Sequence, residues 1–185
     1  MKFLRFFIII FISLTTSIKA DLYKNLINQL EDGGKLIFIR HAYAPGNGDP
    51  AGFNLNDCST QRNLSDDGRK QAQRIGEFFT KNKIEIDKVL SSEWCRCKET
   101  AKIAFKNYST NSFLNSFYSS KFSKNKDKQV KAFNYYIKNL ESKKNLIFVT
   151  HYVFISEVLN YGPSSGEIVV SDKNLNIIGS IEIDF

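Results

Sequence analysis

Short, continuous apolar runs alternate with amphipathic segments along most of the chain. The runs Lys35–Ile39 and Asn145–Val149 are typical of strands buried on both faces of a sheet. Leu64–Lys81 carries apolar residues at helical spacing behind a capping Ser65, which predicts a helix that packs on such a sheet. This alternation predicts an α/β domain, three layers deep (α/β/α), with a mostly parallel central sheet. The other predicted elements are a strand at Val89 and Leu90, helices at Trp94–Phe105, Val130–Leu140 and Tyr152–Asn160, and strands at Glu167–Ser171 and Asn176–Ile183.

Residues 1–20 have the layout of a signal peptide. Lys2 and Arg5 precede an unbroken apolar run from Phe6 to Ile12, and a polar stretch ends at Ala20. The apolar run is shorter than the roughly 20 residues that a transmembrane helix needs, so no permanent membrane span is expected; an uncleaved anchor is the alternative. The sequence therefore predicts a signal peptide at 1–20, a single domain at 21–185, and a periplasmic or secreted location.

Charge narrows the class of partner. The formal net charge is +7. Loss of Lys2, Arg5 and Lys19 with the leader lowers it to about +4, and a mildly basic surface suits an anionic substrate. Apart from the run Lys121–Lys131, which fits one face of a solvated helix and its lead-in, the lysines are scattered. No nucleic acid partner is therefore expected.

The predicted domain contains three cysteines, Cys58, Cys95 and Cys97. Neighbours two residues apart are poorly placed for a disulfide, so Cys58 is the expected common partner, with either Cys95 or Cys97. Such a crosslink closes a loop of roughly forty residues and would stabilise the fold by about 3–4 kcal/mol in the chain-entropy model. Three free thiols are one alternative. A zinc site completed by a histidine is another, although the Cys-X-Cys spacing lacks the usual paired knuckle.

The two histidines of the chain occupy matching positions. His41 directly follows KLIFIR, and His151 directly follows NLIFVT. Each is therefore expected at the carboxyl end of a core strand, at the edge of an open parallel sheet where ligands bind. Neighbouring strands would bring the two imidazoles face to face across one pocket, with Arg40 beside the first. For either histidine, a hydrogen-bonded loop cap is the alternative.

Four blocks of residues occur in order along the chain, from about residue 35 to about 160, which is most of the predicted domain. The first is a strand followed by Arg40, His41 and Ala42, and the fourth is a strand followed by His151. The second block consists of Leu64, Ser65, Gly68, Gln71 and Ala72, and the third of Ser91, Ser92, Arg96, Thr100 and Ala101. The ordered set resembles the histidine phosphatase superfamily and its phosphoglycerate-mutase-like fold, in which the first block reads Arg-His-Gly, so that Ala42 stands in place of the glycine.

The resemblance implies a phosphohydrolase that forms a covalent intermediate. His41 would accept the phosphoryl group as nucleophile, and water would then cleave the phosphohistidine. Arg40 and Arg96 would bind phosphate oxygens through planar, permanently charged guanidinium groups. His151 would donate to the phosphate, with a positive charge where the anion raises its pKa. This chemistry requires no metal and no cofactor.

The segment Ala42–Arg62, rich in Gly, Pro and Asn, directly follows the expected nucleophile and is placed to shape specificity. Asn47 stands where members of the family often have a phosphate-contacting asparagine, and Arg62 would add a third cation. Ordinary turn chemistry is the alternative for both residues.

The expected site lacks an obvious general acid. Many members of the family carry a glutamate in the loop that corresponds to Phe113–Phe117, which contains no acid here. Tyr152 stands where the other large branch has an aspartate. A missing acid is tolerable when the leaving group has a low pKa, as in phosphohistidine or an acyl phosphate, and it argues against an efficient mutase. The candidates by proximity to the motifs are Asp49, Asp57, Glu93 and Glu157.

The sequence thus predicts an exported phosphomonoesterase similar to the short, acid-deficient members of the superfamily. These include enzymes that act on phosphohistidine proteins and one that acts on a heptose phosphate of lipopolysaccharide. The expected partner is a small phosphorylated molecule, or a phosphorylated lipid-sugar or protein. Two alternatives remain: a phosphate-binding module of the same fold without turnover, and a redox or metal protein built on Cys58, Cys95 and Cys97.

Overall fold

The computed structural model of the chain describes residues 21–184, so the predicted signal peptide lies outside the described residues. Residues 21–31 are helical and are called α1. Within the described part, no helix is long and apolar enough to span a bilayer. The strands are β1 Leu36–Arg40, β2 Ile86–Ser91, β3 Ser109–Thr110, β4 Asn145–Thr150, β5 Ile168–Ser171 and β6 Ile177–Ile181. The remaining helices are α2 Asp66–Lys81, α3 Cys95–Phe105, α4 Ser120–Ser123, α5 Lys126–Lys138 and α6 Tyr152–Leu159, with 3-10 turns at Cys58–Thr60 and Ser112–Leu114.

The strands form one sheet in the order β3-β2-β4-β1-β5-β6. The pairings among β1 to β4 are parallel, whereas β5 pairs antiparallel with both β1 and β6. The predicted α/β class with a mostly parallel sheet is therefore confirmed. In the register of the two central strands, Arg40 lies opposite Thr150. The residue after each of these strand ends is a histidine, so the two histidines emerge side by side.

Two apolar clusters cover the two faces of the sheet, because successive side chains of a strand point to opposite faces. In β1, Ile37 and Ile39 join the cluster that includes α2 and α3, whereas Leu36 and Phe38 join the cluster that includes α5 and α6. All four side chains are fully buried. This burial on both faces explains why the central strands are continuous apolar runs rather than alternating ones.

The predicted helices agree with the structure to within a few residues at their ends. Ser65 caps α2, and its side chain accepts a hydrogen bond from the backbone of Gly68. The features that were not predicted include α1, the short helix α4, the two-residue strand β3, and the antiparallel direction of β5 and β6. Apolar composition does not indicate the direction of a strand, and a run of two residues is too short to predict one.

A disulfide joins Cys58 and Cys95, whose Cα atoms are 5.6 Å apart. Cys97 is a buried free cysteine. Of the two pairings that the sequence left open, the structure therefore contains the one with Cys95. The crosslink connects the 3-10 turn Cys58–Thr60 to the first residue of α3 and closes a loop with a sequence separation of 37.

Candidate active site

A cavity of about 360 Å³ opens at the carboxyl ends of β1 and β4. This is the edge at which ligands bind in open parallel sheets. The cavity is lined by all six residues that the sequence singled out for catalysis or substrate binding: Arg40, His41, Asn47, Arg62, Arg96 and His151.

The two imidazole rings lie close together, with centroids 5.5 Å apart and planes inclined by 70°. His41 and His151 are each 3% exposed. Because β1 and β4 are neighbours in parallel register, the strand ends place both rings at the same cavity. The expected juxtaposition of the histidines is thus present in the structure.

The hydrogen bonds of His41 fix its tautomer. Nδ1 lies 2.9 Å from the carbonyl oxygen of Ala42, which can only accept, so Nδ1 carries the proton. Nε2 is left with its lone pair and accepts a hydrogen bond from Nε of Arg96 at 3.2 Å. An unprotonated imidazole nitrogen at the cavity has the form that a nucleophile requires.

The second and third sequence blocks hold the backbone that follows His41. The amide of Ala42 donates to Thr100 Oγ1 (3.0 Å), and the amide of Tyr43 donates to Gln71 Oε1 (2.8 Å). A Cβ atom on Gly68 would lie 2.0 Å from the carbonyl oxygen of Tyr43, so only glycine permits this approach of α2. These residues therefore act on the orientation of His41 rather than on a ligand directly.

Arg40 is half-buried and is held at its far end by the segment before β5. Its Nη1 donates to the carbonyl oxygen of Pro163 at 2.9 Å, and its guanidinium carbon lies 5.5 Å from the ring centroid of Tyr152. The buried Nε has no hydrogen-bond partner within the described chain. A cationic donor without a partner at the cavity wall suits an anionic ligand.

Arg96, on the first turn of α3, is 3% exposed and is bound by Asp49. Its Nη1 and Nη2 lie 2.7 Å and 3.3 Å from the two carboxylate oxygens of Asp49. Asp49 also accepts from Trp94 Nε1 (3.0 Å) and from the backbone amide of Arg62 (3.1 Å). The two-pronged contact fixes the plane of the guanidinium and thereby aims its Nε at His41.

Arg62 and Asn47 have different positions at the cavity. Arg62 is half-buried and spans its own loop, with Nε donating to Gly48 O at 2.8 Å and Nη1 donating to Ala44 O. It therefore braces the segment Ala42–Arg62 while adding positive charge to the cavity wall. Asn47 is exposed at the rim of the cavity.

His151 is held by Ser92 and lies beside Cys97. Asn115 Oδ1 accepts a hydrogen bond from Ser92 Oγ at 3.2 Å, which leaves the hydroxyl oxygen of Ser92 to accept from His151 Nε2 at 2.8 Å. The thiol sulfur of Cys97 lies 3.5 Å from the same nitrogen. Ser92 belongs to the third block, and its contact explains why a hydroxyl residue follows β2.

Burial lowers the pKa of both histidines well below the usual 6.5, and the nearby charge of Arg96 lowers them further. Both rings are therefore neutral near neutral pH in the free protein. A neutral His41 retains its attacking lone pair. The positive charge expected on His151 is absent from the free site, and it depends on a bound anion to raise that pKa.

Stability should fall as the pH drops from 7.5 to 5.5. Below pH 6.5 the unfolded chain protonates its histidines while the native chain keeps His41 and His151 neutral, so the unfolded state binds more protons. The free energy of unfolding then decreases by up to about 1.4 kcal/mol per pH unit for each histidine. Urea denaturation followed by circular dichroism measures this slope. Unchanged midpoints across this range would show that the rings are not buried as neutral groups.

The four acid candidates have different environments, and three of them do not line the cavity. Asp57 is exposed and caps the 3-10 turn Cys58–Thr60, whereas Glu157 pairs with Lys126 at 3.0 Å on the surface. Glu93 accepts from Asn115 Nδ2 at 2.5 Å. Asp49 lines the cavity, but its two oxygens accept hydrogen bonds from four donors on Arg62, Trp94 and Arg96. No candidate is placed as a proton donor to a leaving group.

The cysteines do not form a metal site. The described residues contain no group of three or more His, Cys, Asp or Glu that could hold a metal ion. Cys58 and Cys95 are joined to each other, and burial raises the pKa of the Cys97 thiol to about 12. Cys97 is thus a protonated packing residue beside His151, not a reactive thiolate.

The sequence missed the outer wall of the cavity. Phe53, Trp94 and Phe122 line it together with the exposed Tyr118 and Lys121. Lys121 opens the basic run that was predicted as part of a solvated helix and its lead-in; its exposed side chain also reaches the cavity. Nothing in the local pattern indicates which aromatic residues of a loop turn toward a distant strand end.

Comparison with known proteins agrees with this geometry. Residues 36–113 match the model of the histidine phosphatase superfamily, branch 1. No curated protein matches the sequence significantly. Among solved structures, the chain is similar to the protein histidine phosphatase SixA complexed with tungstate, with 15% identity, a TM-score of 0.59, and coverage of 81% of this chain and 96% of that one.

Two further structures have similar values. A phosphoglycerate mutase from Thermus thermophilus is 17% identical with a TM-score of 0.57, covering 81% of this chain and 99% of that one. The product of the open reading frame Rv3214 from Mycobacterium tuberculosis is 16% identical with a TM-score of 0.54, covering 74% and 89%. The match of residues 36–113 to the family model and the shared phosphoglycerate-mutase-like fold together support the histidine phosphatase superfamily for this chain.

Proposed function

We propose that the protein is an exported phosphomonoesterase that hydrolyses its substrate through a phosphohistidine on His41. The observation that supports this proposal most directly is the tautomer of His41, whose Nε2 is unprotonated and whose ring lines a cavity together with three arginines. Members of the superfamily are phosphatases or mutases, and two of the similar structures are a protein histidine phosphatase and a phosphoglycerate mutase.

The charges of the cavity fit a phosphoryl group in transfer. Such a group carries charge on three oxygens, so preorganised donors around it lower the barrier. Arg96 and Arg40 provide these donors at the cavity that His41 lines, and neither has to lose a proton to act. Binding of a dianion between the two rings would raise the pKa of His151 and allow it to donate as an imidazolium.

The reaction then has two steps. Nε2 of His41 attacks phosphorus, and the bond to the leaving oxygen breaks with its electron pair on that oxygen. Water attacks the phosphorus of the phosphohistidine in the second step, and the N–P bond breaks to regenerate His41. Asp49 acts as a positioning residue, because both oxygens of its carboxylate accept hydrogen bonds from Arg96.

Export is supported by two features. The leader-like residues 1–20 predict translocation, and the disulfide between Cys58 and Cys95 is of the kind that persists in an oxidising compartment. A phosphate-binding module without turnover is the second candidate, favoured by the absence of a placed general acid among the described residues of the cavity.

Trapping the intermediate distinguishes the two candidates. Brief reaction with a ³²P-labelled aryl or acyl phosphate should leave label on the denatured protein, and the adduct should be stable in base and labile in acid, as phosphohistidine is. The His41→Ala variant should remain unlabelled. A wild-type protein that binds phosphate but never acquires label would favour the module without turnover.

A further inference from the structure

The outer half of the cavity is built from an aromatic wall, defined here as Phe53, Trp94 and Phe122. The ring centroids of Phe53 and Trp94 are 5.8 Å apart, those of Phe53 and Phe122 are 5.8 Å apart, and those of Trp94 and Phe122 are 5.4 Å apart. Each ring therefore contacts the other two, and all three line the cavity.

The aromatic wall is continuous with the phosphate end of the cavity. The indole of Trp94 lies 5.4 Å from the ring of His151, and its Nε1 is fixed by Asp49 at 3.0 Å. Trp94 itself is 1% exposed, whereas Phe53 and Phe122 are only partly buried. These two phenyl rings leave surface open to the cavity that a ligand can cover.

The proton donors available in the cavity limit which leaving groups the site can release. Asp49 is the single acidic side chain among the described residues that line it, and its oxygens are engaged by Arg96, Trp94 and Arg62. An alkoxide leaving group needs a proton from such an acid, since alcohols are very weak acids. A phenolic oxygen, with a pKa of about 10, leaves without one.

Building on the proposed phosphatase activity, we propose that the substrate is a phosphate monoester of an aromatic hydroxyl group, whose ring rests against the aromatic wall. Aromatic rings prefer offset or edge-to-face contacts of the kind that Phe53 and Phe122 offer. A cavity of about 360 Å³ is near the small end of ligand pockets, so it accommodates a phosphate with one or two fused rings.

His41 Nε2 forms a bond to phosphorus while the bond between phosphorus and the aryl oxygen breaks, and the electron pair leaves with the aryl oxygen as a phenolate. Solvent protonates the phenolate, and a water molecule then releases inorganic phosphate from His41. The sum is aryl phosphate plus water giving phenol plus phosphate.

The chain offers a direct probe of this surface, because Trp94 is its one tryptophan. Titrations of phenylphosphonate and methylphosphonate, which the protein does not hydrolyse, can be followed by Trp94 fluorescence. We expect a Kd about tenfold lower for the phenyl compound. Phe122→Ala should abolish most of this difference, whereas Tyr135→Ala, a change to an exposed aromatic residue of α5, should leave it intact. Equal Kd values for the two phosphonates on the native chain would overturn the proposal.

Hydrolysis rates provide the second test of the proposal. Phenyl phosphate should be hydrolysed with a kcat/KM at least about tenfold above that of methyl phosphate, and benzyl phosphate should bind as tightly as phenyl phosphate yet turn over slowly. Comparable rates for phenyl and methyl phosphate would contradict the proposal. Hydrolysis of neither, with the phosphonate preference retained, would instead remove the phosphatase activity and leave the aryl-binding surface standing.

Discussion

Replacement of His41 by alanine is expected to lower kcat for phenyl phosphate by at least about 10⁴-fold, because it removes the atom that accepts phosphorus. The ring is buried between Ala42 and Arg96, so its loss also leaves Arg96 Nε without its acceptor. The measurement is steady-state hydrolysis under conditions in which the wild-type reaction is linear.

The control for the His41 variant is binding without turnover. Tungstate, a tetrahedral oxyanion, should still quench or enhance Trp94 fluorescence in His41→Ala, since Arg40, Arg96 and His151 remain at the cavity. Unchanged circular dichroism would show that the fold is retained. Hydrolysis that persists at more than a few percent of the wild-type rate would rule out His41 as the nucleophile.

Lysine in place of Arg96 is expected to lower kcat by about 10²–10³-fold, the usual cost of one preorganised donor to a developing charge. An ammonium cannot reproduce the planar contact with both oxygens of Asp49 while also donating to Nε2 of His41. Arg69→Lys provides a matched control, because Arg69 pairs with Asp66 and Glu99 on the surface of α2. That control should retain wild-type rates.

The same series tests the role of Asp49. Asp49→Asn should lower kcat by releasing Arg96, but it should cause little further loss when combined with Arg96→Lys, because both changes break one contact. Independent, multiplicative losses would indicate that Asp49 acts on the substrate and not through Arg96.

The centre of the site could be predicted because it depends on strand ends. His41 and His151 follow apolar runs of the same type, and parallel strands end at the same edge of a sheet, so the rings were expected to meet if the two strands were neighbours, as β1 and β4 are. Arg40 and Arg96 were found through the resemblance of the ordered blocks, not through spacing alone.

The partners of these residues could not be predicted, because they come from distant loops. Asp49 and Arg96 are 47 residues apart, and their pairing depends on the path of the segment Ala42–Arg62. The same applies to the hydroxyl of Ser92 under His151 and to Phe53 and Phe122 in the outer wall. The sequence made Asp49 a candidate general acid. In the structure it accepts hydrogen bonds from four donors and fixes the position of Arg96.

Helix geometry explains the choice between the two cysteine pairings. Side chains two residues apart on an α-helix are related by a rotation of about 200° about the helix axis, so they point to nearly opposite sides. Cys95 at the start of α3 therefore faces the turn that carries Cys58, whereas Cys97 faces the sheet and contacts the carbonyl oxygen of Thr150 at 3.6 Å. The sequence left both pairings open because it did not fix the residue at which α3 begins.

The covalent bond between Cys58 and Cys95 also bears on how the protein should be prepared. It ties the loop that supplies Asp49 and Arg62 to the residue directly before Arg96. Expression in a reducing cytoplasm, or dithiothreitol in the purification buffers, would leave these two thiols unjoined and the loop less constrained. Material intended for kinetics is therefore best secreted from the host, handled without reductants, and checked by mass spectrometry for the two-dalton loss that accompanies oxidation.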